Sequence, residues 1–376
     1  MGRAEKQLPR VPGESGEIIM EKEKRVFIAA TRQNDGKTVI SLGLTMSFLE
    51  HTSRIGFIKP VGQRYIVVEG KQVDEDSVLV SKVCNLKFNL TDMSPIAVER
   101  GFTEKFVEKG HAEDLEKRIL DSYGKIAKGN ELVIIEGTGH AGVGAIFKLH
   151  NARVAKLLQA KVVLISVGGI GKPFDEIMLN HALFSREGVE ILGVIINKVL
   201  PEKMDKVNRI LRKALQREGI KLLGVVPYMK ILSSPTITQV FDALKGELLS
   251  GDNLNRRVDN IVVGAMAPHH ALSYFAPGSL VITPGDREDI ILAAMAKSHD
   301  IVALVLTCNQ TPHHTVLELV RKAGFPVMKV ATDTYTTASR IHDLVVKISP
   351  EDREKIDVIG SLVKQYVGVE EIYRAL

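Results

Sequence analysis

The chain has 376 residues, 45% hydrophobic and 25% charged, which excludes a mostly disordered chain, a collagen-like repeat and a disulfide-stapled miniprotein. Lys and Arg number 50 against 45 Asp and Glu, and the resulting +5 is a mild excess that suits a phosphate-bearing ligand as well as a polyanion. Tryptophan is absent and aromatics are only 5%, which disfavours binding of single-stranded nucleic acid through stacked rings.

At about 150 residues per domain the length predicts two domains, or three. Residues 1–24 mix charges with Gly and Pro and read as a solvated tail, not a signal peptide. The segment from Arg25 to Ala30 is short, apolar and unalternating, as a strand buried on both faces should be. Similar strands are predicted at Arg54 to Ile58, Leu132 to Ile135, Val162 to Val167, Ile191 to Ile196 and Gly224 to Val226. Helical patterns lie between them, at Val39 to Glu50, Ala112 to Ile126 and Asp175 to Arg186. A further one, from Lys203 to Lys221, places Met204, Val207, Ile210, Leu211, Ala214 and Leu215 at helical spacing and carries a basic solvated face. Strand and helix in alternation predict an α/β fold, a parallel sheet with helices on both faces. The alternation pauses near Ser233-Ser234-Pro235, where a domain boundary is expected. A helix is predicted from Thr238 to Leu249, then strands at Ile261 to Val263, Ser279 to Ile282, Ile301 to Leu306 and Pro326 to Val330. Helices are expected at Glu288 to Lys297 and Thr315 to Lys322, making 236–376 a second, smaller α/β unit after a first unit of 25–235.

The first strand runs into Thr31-Arg32-Gln33-Asn34-Asp35-Gly36-Lys37-Thr38 and then a helical pattern. This is the setting of the phosphate loop G-x-x-x-x-G-K-[ST], with Ala30 read as the counterpart of the first glycine. Gly36 lets the backbone approach phosphate oxygens, and successive N–H groups at the helix start face the anion. Lys37 is placed to neutralise terminal phosphates and Thr38 to offer its hydroxyl to Mg²⁺. Glu136 ends the strand at Leu132 and is followed by Gly137-Thr138-Gly139, the place where such a protein holds its metal. Lys59 and Asn197 close two other strands and point toward the same crevice. Two adjacent pairs, His269-His270 and His313-His314, read as loop histidines rather than a zinc site.

The elements ATRQNDGKT, FIKPVGQ, VDEDSVLV, IIEGTGH, GVIINKV and GVVPYM follow the order of the dethiobiotin-synthetase-like P-loop proteins, which the first 235 residues resemble. The resemblance implies ATP at Asn34, Gly36, Lys37 and Thr38, Mg²⁺ at Thr38, Asp76 and Glu136, a catalytic lysine at Lys59 and a base contact at Asn197. Asp74, two residues from Asp76, is the alternative acid. Gly62-Gln63-Arg64 stands where the synthetase has a small residue and a serine for its diamine substrate, so dethiobiotin synthesis is not expected.

The second unit is similar to the DRTGG domain, through Val281 to Asp289, Leu306-Thr307 and Thr332 to Thr337. Asp286-Arg287 keep the start of the motif that gives the domain its name, and Glu288-Asp289 replace its later residues. The two regions in this order resemble the regulatory half of long bacterial phosphate acetyltransferases, without their acetyltransferase domain. That implies a nucleotide-binding regulator with slow or no turnover. The other reading is an ATP-dependent ligase acting on a small carboxylate or amine. A small-molecule effector and a homo-oligomer are the expected partners, and nucleic acid is not. Cys84 and Cys308 lie far apart with no zinc spacing, so a reduced, cytoplasmic setting is expected. No apolar run reaches the roughly 18 residues of a membrane span.

Overall fold

The structure is a computed structural model, and it describes residues 23–376. Most of the expected tail therefore lies outside the described residues. Its last residue, Lys24, already belongs to the first strand and pairs with Leu132.

Six strands form the first sheet: β1 Lys24–Ala30, β2 Ile55–Ile58, β3 Leu132–Glu136, β4 Lys161–Val167, β5 Ile191–Val199 and β6 Leu222–Pro227. Their order is β6-β5-β4-β1-β3-β2 and every pair is parallel. Val26 to Ala30, Leu132 to Ile135 and Val162 to Ile165 are almost wholly buried, which explains why these strands read as unbroken apolar runs. Strand order reverses around β1, so the carboxyl ends of β1, β3 and β4 open onto one crevice. The helix Met204–Arg217 buries Val207, Leu211 and Leu215 and leaves its basic face outside, as its pattern predicts. The segment after β2 adds a hairpin, Tyr65–Val68 with Lys71–Asp74, and the helix Glu75–Val83, which the periodicity did not predict.

The second sheet holds β7 Glu247–Ser250, β8 Asn260–Val263, β9 Ser279–Pro284, β10 Ile301–Thr307 and β11 Val327–Lys329, in the order β7-β11-β10-β9-β8. Leu280, Ile282, Val302 and Val305 pack one face, while Val281, Leu304 and Leu306 pack the other. The predicted helix from Thr238 to Leu249 is corrected here. The helix Ile237–Leu244 stops at Lys245, which takes a left-handed conformation (φ 53°), and the next residues become the antiparallel edge strand β7. A run of Leu248-Leu249 has no period of its own, and pairing with β11 decides its form.

A second correction concerns 353–376, which the sequence groups with the second unit. The helix Arg353–Tyr366 packs along the helix Lys37–Phe48 of the first unit, and Ile359, Leu362, Val363, Val367 and Ile372 join the first core. Gly43 makes this possible, since a Cβ there would stand 2.3 Å from Val363 Cγ2. Val367 bridges to Gly224 at the sheet edge, and Gly368 N–H donates to the Leu223 carbonyl at 2.8 Å. Burial of each of those large apolar side chains stabilises by about 1.5–3 kcal/mol. The chain thus leaves the first core near 234, builds the second, and returns.

Candidate functional site

Beyond β1 the chain turns through residues 31–36 into the helix Lys37–Phe48. Counting back five places from Gly36 puts the first glycine of the phosphate-loop template at Thr31, so Ala30 is not its counterpart; Ala30 is the buried last residue of β1. Thr31 Oγ1 donates to Asp35 Oδ2 at 2.7 Å, and the Arg32 N–H donates to the same oxygen at 2.8 Å. Asp35 therefore braces the loop from within. Gly36 has φ 99°, and a Cβ on it would fall 2.1 Å from Asn197 Nδ2, so both conformation and space demand glycine. Asn34 also takes a left-handed turn, with φ 67°. Behind the loop, Asn197 Nδ2 donates to the Asp35 carbonyl at 2.9 Å and Lys198 Nζ to the Asn34 carbonyl at 2.8 Å. The end of β5 therefore holds the loop's shape.

Lys37 Nζ donates to the Gly139 carbonyl at 3.0 Å, reaching across to the loop after β3. Burial pushes its ammonium down to about 8, the neighbouring Lys59 adds to this, and Glu136 opposes it. Glu136 lies opposite Ile28 in register, so β3 delivers it beside the loop. Thr38 Oγ1 donates to Glu136 Oε1 at 3.3 Å, and Ser41 Oγ donates to Glu136 Oε2. Ser41 was not anticipated from the sequence; it lies three residues beyond Thr38 on the same helix face, and that spacing is the signal.

Three carboxylates converge on the Lys59 ammonium. Its Nζ lies 3.1 Å from Asp74 Oδ1 and 3.3 Å from Glu136 Oε1, and it also donates to Asp76 Oδ2. The two candidate acids are not alternatives, since both face Lys59. Asp74 caps the helix Glu75–Val83, accepting from the Asp76 N–H at 3.0 Å, and its other oxygen, Oδ2, is buried with no partner. Burial opposes the Lys59 charge, but Asp76, Glu136 and Asp74 outweigh it and hold the ammonium well above its usual range. Burial raises Glu136 to about 7 and Asp74 to about 6 despite Lys59. For Asp76 the attraction of Lys59 overcomes burial and holds the carboxyl below its usual range.

Asn34, Gly36, Lys37, Thr38, Lys59, Asp76, Glu136 and Asn197 all line one cleft of about 610 Å³. Part of its lining was not foreseen: residues 344–348 and Pro350, on the way from the second unit to the terminal helices, also line it. Among the described residues no three His, Cys, Asp or Glu side chains are arranged to hold a metal by themselves. No described helix is long and apolar enough to cross a membrane.

The polar strand-end residues of the second unit serve its own turns. Asp333 caps the helix Thr334–His342 through the Thr336 N–H at 2.9 Å, and Arg287 pairs with Asp289 at 2.8 Å. The paired histidines lie against each other at helix starts, with ring centroids 4.1 and 4.0 Å apart.

Comparisons with known proteins bear on both units. A family model described as AAA domain matches residues 24–236, more than half of the chain, and one described as DRTGG domain matches 239–344. The phosphate acetyltransferase of Pseudomonas putida is 30% identical over 371 residues, covering 93% of this chain and 51% of the relative. That of Pseudomonas aeruginosa is 30% identical over 368 residues, covering 92% and 51%. The chain thus spans about half the length of the curated relatives it matches. Among solved structures, the CBS and DRTGG domains of the regulatory region of Clostridium perfringens pyrophosphatase, complexed with the activator diadenosine tetraphosphate, match with 20% identity and a TM-score of 0.27. That match covers 42% of this chain and 83% of the other. The chain belongs to the AAA domain family and carries a DRTGG domain beside its P-loop unit.

Proposed function

We propose that this chain is an ATP- and Mg²⁺-binding regulatory protein of the phosphate acetyltransferase N-terminal type, with low or no turnover. The observation that carries the reading is the braced loop with Lys37 buried at the start of a 12-residue helix. A buried ammonium whose charge is opposed by its surroundings is well suited to an anionic ligand that restores it. Backbone N–H groups at the helix start would hold the phosphates, and Asn197 would turn its amide oxygen to the base while its nitrogen keeps the loop.

The residues present fit Mg²⁺ carried on a phosphate. Thr38 Oγ1 and Glu136 Oε1 are hard oxygen donors 3.3 Å apart, Asp76 adjoins them, and Asp74 Oδ2 lacks a partner. Mg²⁺ is usually held by one or two carboxylates together with substrate phosphates, not by an all-protein cage. When bound, the ion would neutralise charge between the phosphates. Lys59 balances the acid cluster: without it buried Asp74 and Glu136, with half-buried Asp76 beside them, would carry uncompensated charge.

Low turnover is supported by Lys59 being committed to three acids, not free to act on a substrate. The ligase reading is favoured by one feature, the size of the cleft that Lys59 lines, about 610 Å³. Calorimetry of ATP with and without Mg²⁺, beside phosphate release with and without candidate metabolites, tests both. Micromolar Mg-dependent binding with negligible release supports the regulator, metabolite-dependent release supports the ligase, and no binding sinks both. Homo-oligomerisation and a cytoplasmic setting belong to the same proposal, and light scattering of the full chain reads the former.

A further inference from the structure

The segment between the DRTGG helix Thr334–His342 and the terminal helix Arg353–Tyr366 has no regular structure, yet it is gripped at several points. Along it, Leu344, Val346, Ile348 and Pro350 are half-buried while their neighbours are exposed, the period-two pattern of an extended strand. Leu344 packs on the second core and Ile348 on the first. Lys347 is held by both units. Its carbonyl accepts from Gln239 Nε2 at 2.9 Å, and its ammonium pairs with Glu75. Gln239 belongs to the first helix of the second unit, where its Oε1 also closes a capping box on the Thr236 N–H at 3.1 Å. At the far end Lys355, 1% exposed, donates to the Ser234 carbonyl at 2.9 Å and so ties the outgoing connection to the returning one.

We propose that residues 343–350 are a strap that couples the DRTGG domain to the nucleotide cleft. The strap lines the cleft together with Arg64, Leu79 and Lys82, and Lys82 Nζ lies 3.6 Å from Glu351 Oε1 just beyond its end. Its latch, Glu75, lies between Asp74 and Asp76 on the first turn of the helix Glu75–Val83, the turn that clamps Lys59. A magnesium nucleotide that engages Lys37, Thr38 and Glu136 changes what Lys59 and those two aspartates must balance. The same turn carries Glu75, so the change reaches Lys347 directly, and Gln239 passes it to the second unit. Coupling of this kind is reciprocal: a ligand or contact that shifts the DRTGG domain must alter nucleotide affinity by the same factor. The proposal rests on the nucleotide reading above and adds the path of its regulation.

Hydrogen exchange of the full chain, with and without ATP and Mg²⁺, separates the two. Slower exchange at residues 31–38 reports nucleotide, and a change of about tenfold at 343–350 in the same sample reports the strap. Protection at 31–38 with an unchanged strap overturns the strap alone. No change at either segment overturns the nucleotide reading and the strap with it. Gln239→Glu keeps the capping acceptor and removes the donor to Lys347. It is expected to speed exchange at 343–350 and to weaken ATP binding about fivefold or more. Lys347→Glu should act the same way, and adding Glu75→Lys should restore both readings. ATP affinities of Gln239→Glu and Lys347→Glu both within about twofold of the parent would overturn the coupling.

Discussion

Both sheets of this protein end, at the carboxyl side of parallel strands, in a ring of buried polar residues, but the chemistry of the two rings differs. In the first sheet the ring is charged, with Lys37, Lys59, Asp74 and Glu136 buried and Asp76 beside them. In the second it is made of hydroxyls: Thr283, Thr307 and Thr337 are wholly buried. Thr307 bonds Thr334, and Thr332 bonds Thr337, each at 2.8 Å. The Thr283 hydroxyl turns to the Gly264 carbonyl and the Thr337 hydroxyl also to the Asp333 carbonyl at 2.7 Å, so these uncharged groups find partners within the second unit. The charged ring balances only as a whole and leaves Lys37 depressed and Asp74 Oδ2 unpartnered, so it has reason to change when a charged ligand arrives. Two sheets of similar build therefore differ in the chemistry at their strand ends, charged in one and hydroxylic in the other.

The largest expected effect comes from breaking the charged ring. Lys59→Met leaves three carboxylates facing one another and is expected to cost about 3–5 kcal/mol of stability, read from urea unfolding at neutral pH. A loss under about 1 kcal/mol would mean that the ring is not held together by its central cation.

Next is the terminal helix. Ile359→Ala should cost about 2–5 kcal/mol, because Ile359 is fully buried in the first core. The loss should show in exchange protection of β1 and β3 and not in β9 and β10. Loss of protection in the second sheet instead would return 353–376 to the second unit.

Lys37→Ala tests function rather than stability. Losing a charged partner of the phosphates is expected to weaken ATP binding by about 1.5–3 kcal/mol, roughly 10- to 150-fold, by calorimetry. Unchanged affinity would take the phosphates away from the loop.

The pH dependence sharpens the contrast further. Burial raises Glu136 to about 7 and Asp74 to about 6, above ordinary values of 4.5 and 3.8. Between those limits the folded state holds protons that the unfolded chain has released. That stability is complete below the unfolded values and is lost as pH rises through about 6 and about 7. Glu136→Gln should flatten the decline in the urea midpoint over this window; a slope identical to the parent's would remove Glu136 from the titrating ring. Lys37 acts in the opposite sense, its depression from 10.5 to about 8 making stability rise with pH between those values.

The smallest effect is expected in the hydroxyl ring. Replacing Thr307 and Thr334 together by Val removes donor and acceptor at once and should change stability by under about 1 kcal/mol. A much larger loss would give that edge a part beyond mutual hydrogen bonding.

Much of the site was legible in the sequence because it is local. Gly36, Lys37 and Thr38 are consecutive, and Lys59, Glu136 and Asn197 each close or nearly close a strand that its apolar run announces. Buried parallel strands have to be apolar on both faces, so their positions, and hence the residues at their ends, can be read without a structure. The contacts among those residues were not legible. That Asp74 and Asp76 both face Lys59 depends on a helix start of β-hairpin origin, where the local pattern is weak. Ser41 and Asp35 act through hydrogen bonds that only the loop's folded path defines.

What the sequence by itself determined is the phosphate loop and the α/β class, each encoded in runs of neighbouring residues. Tertiary structure alone decided that Glu247–Ser250 is a strand, that the helix Arg353–Tyr366 completes the first core, and that the strap before it lines the cleft. In each case the segment's own pattern fits more than one partner. The free energy that selects among them comes from area buried against distant residues, such as Val363 over Gly43, and from bonds such as Gln239 to Lys347, which no local window contains.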